Sequence, residues 1–284
     1  MKAAAFDYVK PKALQDALSL LAEAGDSAQL IAGGQTLLAT LNLRLSEPSV
    51  LIDITDLAEL KGITLIGDQL RIGALVTHTE IEDSALIAKH APLLKAAAPH
   101  IAHRAIRNLG TWGGSLAYGD PAAEWPACSL TLRATMIIQG PRGERRISAN
   151  DFFIDLYTTS LEPDEILVAT EMPIATSEEV FYFHELARRH GDYAVAGLAA
   201  VAQKQSDVLT KCAFTFFSVS SKPVMATKAQ DLLNGKKLNE ELIEKAVAAT
   251  REEIEAIADI TNSAEAKEHL MGVLLERGLK HMLT

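Results

Sequence analysis

Two double-glycine turns, each set between an apolar run and a helix-like run, constrain this chain more than any other feature. Residues 33–36 read Gly-Gly-Gln-Thr, and residues 113–115 read Gly-Gly-Ser. Glycine has no Cβ atom, so such turns let a ligand approach the backbone and can point several N–H groups at an anion. An acidic segment, Asp-Pro-Ala-Ala-Glu, follows the second turn at residues 120–124. This combination predicts a dinucleotide held by its pyrophosphate between the two turns.

Length, hydropathy and charge narrow the class of protein. The chain has 284 residues, enough for about two or three modest hydrophobic cores. No window approaches the roughly 18 uninterrupted apolar residues of a membrane span. The first residues carry one positive charge and too short an apolar run for a secretory signal, which predicts a cytoplasmic protein. The net charge of −10 and the scattered basic residues argue against nucleic acid as a partner.

The cysteines and histidines do not form a recognisable metal site. The two cysteines, Cys128 and Cys212, lie far apart and predict no disulfide framework. They also cannot supply the four thiolates of an iron–sulfur cluster. His100 and His103 have the spacing of a metal pair on a helix, but no nearby cysteine or obvious carboxylate completes the site. We therefore expect no metal on this chain, and any metal centre is expected on another chain.

Several catalytic motifs are missing from the sequence. It has neither the Gly-x-x-x-x-Gly-Lys-Ser/Thr phosphate loop nor the Gly-x-Gly-x-x-Gly fingerprint, which disfavours a mononucleotide kinase and a Rossmann dehydrogenase. Ser115 does not lie in a Gly-x-Ser-x-Gly elbow, so nucleophilic hydrolysis is unsupported. Asp120, Glu124 and Asp192 could act as acid–base groups. Acidic residues beside a glycine loop more often bind sugar hydroxyls or cap helices.

Hydrophobic periodicity predicts an α+β protein of two parts. In the first part it predicts helices over 11–25, 36–42 and 86–98, a capped helix start at 77–81, and strands over 29–32, 50–54, 70–74, 135–139, 145–148 and 166–172. A polar stretch after a proline, at 174–179, indicates a boundary. In the second part it predicts longer strands over 180–186, 193–203 and 212–219, followed by helices over about 226–233, 239–257 and 263–282.

A polar turn near the start of the second part has two interpretations. Residues 188–193 read Arg-Arg-His-Gly-Asp-Tyr and lead into an apolar strand. The simpler interpretation is a solvated turn. The alternative is a loop that presents the ring of Tyr193 to a site on the first part, because domain interfaces often hold cofactors.

Three of these segments together resemble one known family. They are residues 32–36, Ala-Gly-Gly-Gln-Thr; residues 106–124, which contain Gly-Thr-Trp-Gly-Gly-Ser and Asp-Pro-Ala-Ala-Glu; and Arg188-x-x-x-Asp192-Tyr193. This pattern resembles the FAD-binding medium subunit of molybdenum hydroxylases, the family of carbon monoxide dehydrogenase and xanthine dehydrogenase. The resemblance covers nearly the whole chain in order, and its second motif is long and specific.

The resemblance implies a fold. Residues 1–175 are expected to form an FAD-binding domain of the vanillyl-alcohol-oxidase (PCMH) type, with subdomains of about 1–55 and 56–175. Residues 177–284 are expected to form a small C-terminal α+β domain, a three-stranded antiparallel sheet with helices. The boundary indicated by the polar stretch at 174–179 agrees with this division.

The resemblance also implies a function and partners. The chain is expected to carry FAD, to take electrons from [2Fe–2S] clusters of a small partner subunit, and to pass them to an external acceptor. A large subunit with the molybdenum cofactor would oxidise the substrate. The assembly is expected to be a dimer of heterotrimers, and no residue of this chain is expected to be catalytic.

The matching positions imply the residues that bind FAD. Backbone N–H groups of residues 32–36 and 111–115 would meet the pyrophosphate, an acidic side chain would bind ribose or ribityl hydroxyls, and an aromatic ring would lie beside the isoalloxazine. The implied residues are Ala32, Gly33, Gly34, Gln35, Thr36, Leu37, Thr111, Gly113, Gly114, Ser115, Asp120, Glu124, His184 and Tyr193. Two positions depart from the family pattern. Trp112 replaces a small aliphatic residue and would pack on the adenine end or fill the core. His184 replaces a frequent lysine and would tune the flavin potential if it approaches the ring.

Two other functions remain open at this stage. One is a stand-alone FAD-dependent oxidoreductase of the same fold, with His184 or Tyr193 as a proton donor over the flavin. The other is a cofactor-free scaffold subunit, against which the intact glycine turns argue. Recovery with or without partner subunits, and with or without bound flavin, separates these three functions.

Overall fold

The described residues form three main β-sheets, which follow one another along the chain and each pack with helices, and one two-stranded hairpin. The computed structural model describes residues 2–283, so Met1 and Thr284, the outer ends of the two predicted domains, lie outside the described residues. The combination of parallel and antiparallel sheets with helices is the predicted α+β class.

The first sheet has three parallel strands in the order β1-β3-β2. Its elements are β1 Asp7–Val9, α1 Leu14–Ala24, β2 Ala28–Ile31, α2 Leu37–Asn42 and β3 Val50–Asp53, with a 3₁₀ turn at Gly25–Ser27. The first glycine turn lies between β2 and α2, as the sequence predicts. Leu18 and Leu21 of α1 are buried against this sheet, which accounts for the helical spacing of the apolar residues there.

The second sheet has five antiparallel strands in the order β4-β5-β10-β6-β7. Its strands are β4 Ile63–Ile66, β5 Gln69–Gly73, β6 Thr135–Gly140, β7 Gly143–Ser148 and β10 Ile166–Pro173, and a separate hairpin is formed by β8 Phe153–Asp155 and β9 Thr158–Thr159. The helices are α3 His78–Asp83, α4 Ala85–His90, α5 Pro92–Ala97, α6 Arg104–Arg107, α7 Trp112–Tyr118, α8 Glu124–Thr131 and α9 Ala149–Phe152, with 3₁₀ turns at Ala58–Leu60 and Ala98–His100.

The third sheet is built on three long antiparallel strands and is followed by helices. Its elements are β11 Glu179–Leu186, β12 Ala196–Gln205, β13 Val208–Phe217, β14 Val224–Met225, α10 Thr227–Leu233, β15 Lys236–Lys237, α11 Glu240–Glu253 and α12 Ala264–Leu283. The two-residue strands β14 and β15 both pair with β13, so they extend the predicted three-stranded sheet.

The predicted helix over 86–98 is wrong as a single element. Two helices, α4 and α5, meet there at Ala91, whose backbone is not helical (φ −145°, ψ 61°). Pro92 starts the second helix because proline lacks an N–H group and disfavours the helical conformation of the residue before it. The predicted strand over 193–203 also begins later, at Ala196.

The described residues form three apolar cores, two of which join neighbouring sheets. One unites α1 and β3 with Ile137, Ile166 and Val168 of the second sheet. Another unites the second sheet and its helices with Phe183 and Phe217 of the third sheet. The last lies between the third sheet and helices α10 to α12. The first and second sheets therefore enclose a cleft, and the third sheet is held against one side of it. No helix among residues 2–283 is long and apolar enough to cross a membrane.

Candidate functional site

A cleft of about 940 Å³ runs between the first and second sheets, and both glycine turns line it. This volume lies within the range of small-molecule sites, roughly 300–1,000 Å³. All the implied site residues except His184 line this cleft: Ala32, Gly33, Gly34, Gln35, Thr36, Leu37, Thr111, Gly113, Gly114, Ser115, Asp120, Glu124 and Tyr193. The cleft thus brings together residues that are far apart in the sequence, such as Ala32 and Tyr193, which are 161 positions apart.

The first turn presents a row of open hydrogen-bond donors. The backbone N–H groups of residues 33–37 form no hydrogen bond with any other residue of the described chain. Gly34 has a positive φ of 70°, a conformation that glycine adopts without strain. The side chain of Gln35 folds back and donates from Nε2 to the carbonyl of Gly33 at 3.0 Å. Five consecutive open N–H groups form a cradle for an anionic group.

The second turn is mostly satisfied by the protein itself. The N–H of Trp112 donates to the carbonyl of Val76, and that of Gly113 donates to the carbonyl of Ala74, both at 2.8 Å. The N–H groups of Gly114 and Ser115 donate to the side chain and carbonyl of Thr111. Of the N–H groups at 111–115, that of Thr111 is left open within the described part of the chain. The first turn is therefore the stronger anion cradle.

Glycine is required sterically in both turns. A Cβ atom added to Gly33 would lie 1.9 Å from the carbonyl oxygen of Leu109, next to the second turn. A Cβ atom added to Gly113 would lie 2.4 Å from the Cβ of Ala74. Real Cβ atoms do not approach other atoms this closely. A side chain at residue 33 would therefore push the first turn away from the segment before the second, and one at residue 113 would push the second turn away from Ala74.

The acidic wall of the cleft contains two carboxyl groups in different environments. Asp120 accepts a hydrogen bond from the N–H of Ala122 at 2.9 Å, and desolvation raises its pKa. Desolvation and the nearby charge of Glu185 raise the pKa of Glu124 to about 8. Glu124 is therefore largely protonated at neutral pH. A protonated carboxyl group can both donate to and accept from a hydroxyl group of a ligand.

The loop at 188–193 reaches the cleft from the third sheet. Gly191, with a φ of 84°, sits so close to Ala102 that a Cβ atom would lie 3.3 Å from its carbonyl oxygen. Tyr193 and Asp120 both line the cleft, and the ring of Tyr193 keeps 70% of its surface exposed. The position of Tyr193 in this lining supports the interpretation as a loop that presents an aromatic ring to a site on the first part.

Sequence reasoning missed other residues of the cleft wall. Tyr118 and Tyr157 line it with ring centroids 5.2 Å apart, and His78 lines it beside Gly110. Tyr157 has a φ of 50° in the tight β8–β9 hairpin, which no sequence pattern indicates. His78 follows the helix cap at Thr77, and this was the one signal in the sequence that could have drawn attention to it.

The structure does not bring His184 to the cleft. Side chains alternate along β11, and His184 lies on the same face as Tyr182, with their ring centroids 6.2 Å apart. The neighbouring Glu185 instead points inward, is buried, and has its Oε1 3.6 Å from Nδ1 of His100. The expected contact between residue 184 and the flavin is therefore not supported by the position of this side chain.

Trp112 fills the core and does not line the cleft. Its ring is fully buried and lies 5.2 Å from the ring of Trp125, centroid to centroid. Its Nε1–H group donates to Oγ1 of Thr170 at 3.0 Å. The tryptophan at position 112 therefore fills the core, which is one of the two expected roles, and does not pack on the adenine end of the cofactor.

Within residues 2–283, no group of three or more histidine, cysteine, aspartate or glutamate side chains could hold a metal ion.

Comparison with known proteins identifies the family of both parts of the chain. Residues 4–175 match the family of FAD-binding domains in molybdopterin dehydrogenases, and residues 181–282 match the C-terminal domain of carbon monoxide dehydrogenase flavoproteins. The chain belongs to the family of FAD-binding medium subunits of molybdenum hydroxylases, which includes those of carbon monoxide dehydrogenase and xanthine dehydrogenase.

Individual relatives match the chain over almost its whole length. The medium subunit of nicotine 6-hydroxylase from Paenarthrobacter nicotinovorans is 40% identical over 277 residues, which are 98% of this chain and 97% of that protein. The solved carbon monoxide dehydrogenase of Hydrogenophaga pseudoflava contains a chain with a TM-score of 0.97 and 33% identity, covering 99% of this chain and 98% of that chain. The quinoline 2-oxidoreductase of Pseudomonas putida 86 gives a TM-score of 0.94 and 37% identity, covering 100% and 98%.

Proposed function

We propose that this chain is the FAD-carrying electron-transfer subunit of a multi-subunit molybdenum hydroxylase. The observation that carries the proposal is the cleft that holds both the five open N–H groups of the first turn and the exposed ring of Tyr193. FAD fits these residues, because its pyrophosphate needs many donors and its sugar hydroxyls need acidic partners. When bound there, FAD would supply the conversion between single electrons and electron pairs.

The residues of this chain would bind, orient and shield the cofactor. The N–H groups of 33–37 would hold the pyrophosphate, and the hydroxyls of Thr36 and Ser115 would add side-chain hydrogen bonds. Protonated Glu124 and Asp120 would hold ribose or ribityl hydroxyls. Tyr193, which lines the same cleft as Asp120, would limit access to one face of the flavin. No acid or base of this chain is required for oxidation of the substrate.

The partners in this proposal are a small iron–sulfur subunit and a large molybdopterin subunit, in a dimer of heterotrimers. The relatives support this because their names describe medium subunits or chains of larger enzymes. Those names also cover different substrates, including nicotine and carbon monoxide, so we assign the choice of substrate to the large subunit. The two buried free cysteines, Cys128 and Cys212, support a cytoplasmic location. We further propose that 1–175 and 177–284 are its two domains, with subdomains of about 1–55 and 56–175.

The test is a visible absorption spectrum of the purified chain, before and after addition of FAD and then of a reductant. Flavin bands that bleach on reduction are the expected result. A spectrum without flavin bands that FAD cannot restore would contradict the proposal and favour a scaffold. Iron and molybdenum analysis of tagged chain isolated from its native host then identifies the partners. Flavin without either metal would favour a stand-alone oxidoreductase.

A further inference from the structure

His78 is a buried imidazole in the cleft wall that the pyrophosphate cradle and the acidic wall do not use. It is the first residue of α3 and directly follows the N-cap Thr77, which forms a capping box with Glu80. His78 is buried, with 7% of its surface exposed, and it lines the cleft. Burial restricts the orientation of the ring. Its two nitrogen atoms, Nδ1 and Nε2, therefore face different neighbours.

One nitrogen of the ring is committed to the protein. The Nε1–H group of Trp125 donates to Nδ1 of His78 at 2.9 Å, with the two rings edge to face at 5.8 Å between centroids. Because Nδ1 accepts this hydrogen bond, it cannot carry a proton itself. The neutral ring must then be the tautomer with its proton on Nε2. A doubly protonated ring would set an N–H group of His78 against the N–H group of Trp125.

The other nitrogen faces the second glycine turn. Nε2 would lie only 2.7 Å from a Cβ atom added to Gly110, so this glycine allows the ring to reach the cleft wall. Nε2 forms no hydrogen bond with another residue of the described chain. The neighbouring N–H groups at 112–115 are already bonded within the protein. On this side of the cleft an N–H group at Nε2 is therefore one of few donors open to a ligand.

We infer that His78, fixed by Trp125 as the Nε2–H tautomer, is a cofactor-binding residue that donates a hydrogen bond to an oxygen of the bound dinucleotide beside Gly110. The inference rests on the proposed FAD function of the same cleft. Burial and the charge of Arg107 lower the pKa of His78 to about 4, so the ring stays neutral through the physiological range. The donor is thus a constant feature of the site and not a pH switch.

The first test measures the dissociation constant of FAD for the full chain by quenching of flavin fluorescence. His78→Phe keeps the ring shape but removes the donor, and we expect its affinity to fall by about tenfold or more. His78→Gln places an amide N–H near the position of Nε2 and is expected to bind within about threefold of wild type. Thermal unfolding of both variants without FAD shows whether each is folded.

The second test needs no substitution. Two-dimensional ¹H–¹⁵N spectra of the wild-type imidazoles report which nitrogen carries the proton. We expect an unprotonated Nδ1 and a protonated Nε2 between pH 5.5 and 8, and a shift of the Nε2 resonance when FAD is added. A proton on Nδ1, or an Nε2 resonance that FAD does not move, would overturn the inference.

Failure of the inference and failure of the proposed function give different results. If wild type binds FAD and folded His78→Phe binds it equally well, His78 has only a structural role and the flavin function stands. If wild type does not bind FAD at all, the proposed function fails and the inference falls with it. A folded His78→Phe protein with weak binding, rescued in His78→Gln, supports both.

Discussion

Gly33 in the first turn lies so close to the carbonyl oxygen of Leu109, beside the second turn, that no Cβ atom fits between them. The first glycine turn therefore packs directly against the segment that leads into the second. The open donors of the first turn depend on this contact for their position. The cofactor site is thus a property of the packing between the first and second sheets.

Gly33→Ala is expected to weaken FAD binding by at least about tenfold, because the added Cβ must displace the backbone of Leu109. The measurement is the dissociation constant of FAD. Gly67→Ala is the control. Gly67 has a positive φ of 61°, so alanine strains the backbone there, which it does not do at Gly33. The Cβ at residue 67 would meet nothing within 4 Å, and the residue lies outside the cleft wall. Loss of FAD from both variants would show that general destabilisation, and not the contact, governs binding.

Trp112 and Thr170 are expected to stabilise the fold together without affecting the cofactor. Trp112→Phe removes core volume and a hydrogen bond, and Thr170→Val leaves the indole N–H unpaired, so each should lower the free energy of unfolding by about 1–3 kcal/mol. The double variant should lose less free energy of unfolding than the two single variants lose together, because both substitutions remove the same hydrogen bond between Trp112 and Thr170. Urea unfolding measures all three. Additive costs would show that the hydrogen bond contributes nothing.

Glu124 is expected to make the stability of the FAD-free chain fall as pH rises. Its pKa is about 8 in the folded chain and about 4.5 when unfolded, so the folded state holds more protons between these values. The contribution of protonated Glu124 to the free energy of unfolding is fully present below pH 4.5 and is lost as the pH rises towards 8. The titratable groups that interact with its charge are Glu185, Asp120, Cys128 and Tyr193.

Glu124→Gln removes this dependence and should raise the free energy of unfolding at pH 8 by an amount on the order of 1 kcal/mol or more, with little change near pH 4.5. Denaturation in urea at several pH values checks this. Glu23→Gln, at an exposed position on α1, is the control and should follow wild type. If Glu124→Gln raised the free energy of unfolding equally at every pH, the titration of Glu124 would not be the cause of the pH dependence.

His184→Lys is expected to leave the midpoint potential of the flavin unchanged. The side chain of residue 184 lies on the face of β11 shared with Tyr182 and is not part of the cleft wall. A spectroscopic redox titration of the FAD-loaded chain measures the potential. Tyr193→Ala, which removes a ring from the cleft wall, is the positive control and should change it. A clear shift in His184→Lys would restore the expected role of this position near the flavin.

Local sequence features predicted the parts of the site that a short segment can specify. The glycine turns, the cap at Thr77 and the hairpin around 140–143 depend on conformations of a few neighbouring residues, and these lie where the sequence places them. Apolar spacing likewise predicted α1 and α12, since each buries one face. Failure came where a single residue overrides a periodic pattern, as Pro92 does within 86–98.

Tertiary structure alone decided which donors and side chains reach the ligand. The motif at 111–115 does not reveal that most of its N–H groups are bonded to other segments, such as the carbonyls of Ala74 and Val76. Nor could sequence tell that Trp112 enters the core. The inward direction of Glu185 rather than His184 depends on which face of β11 is covered. A sequence determines local backbone preferences, but hydrogen-bond satisfaction and burial depend on residues distant in the chain, and only packing brings those together.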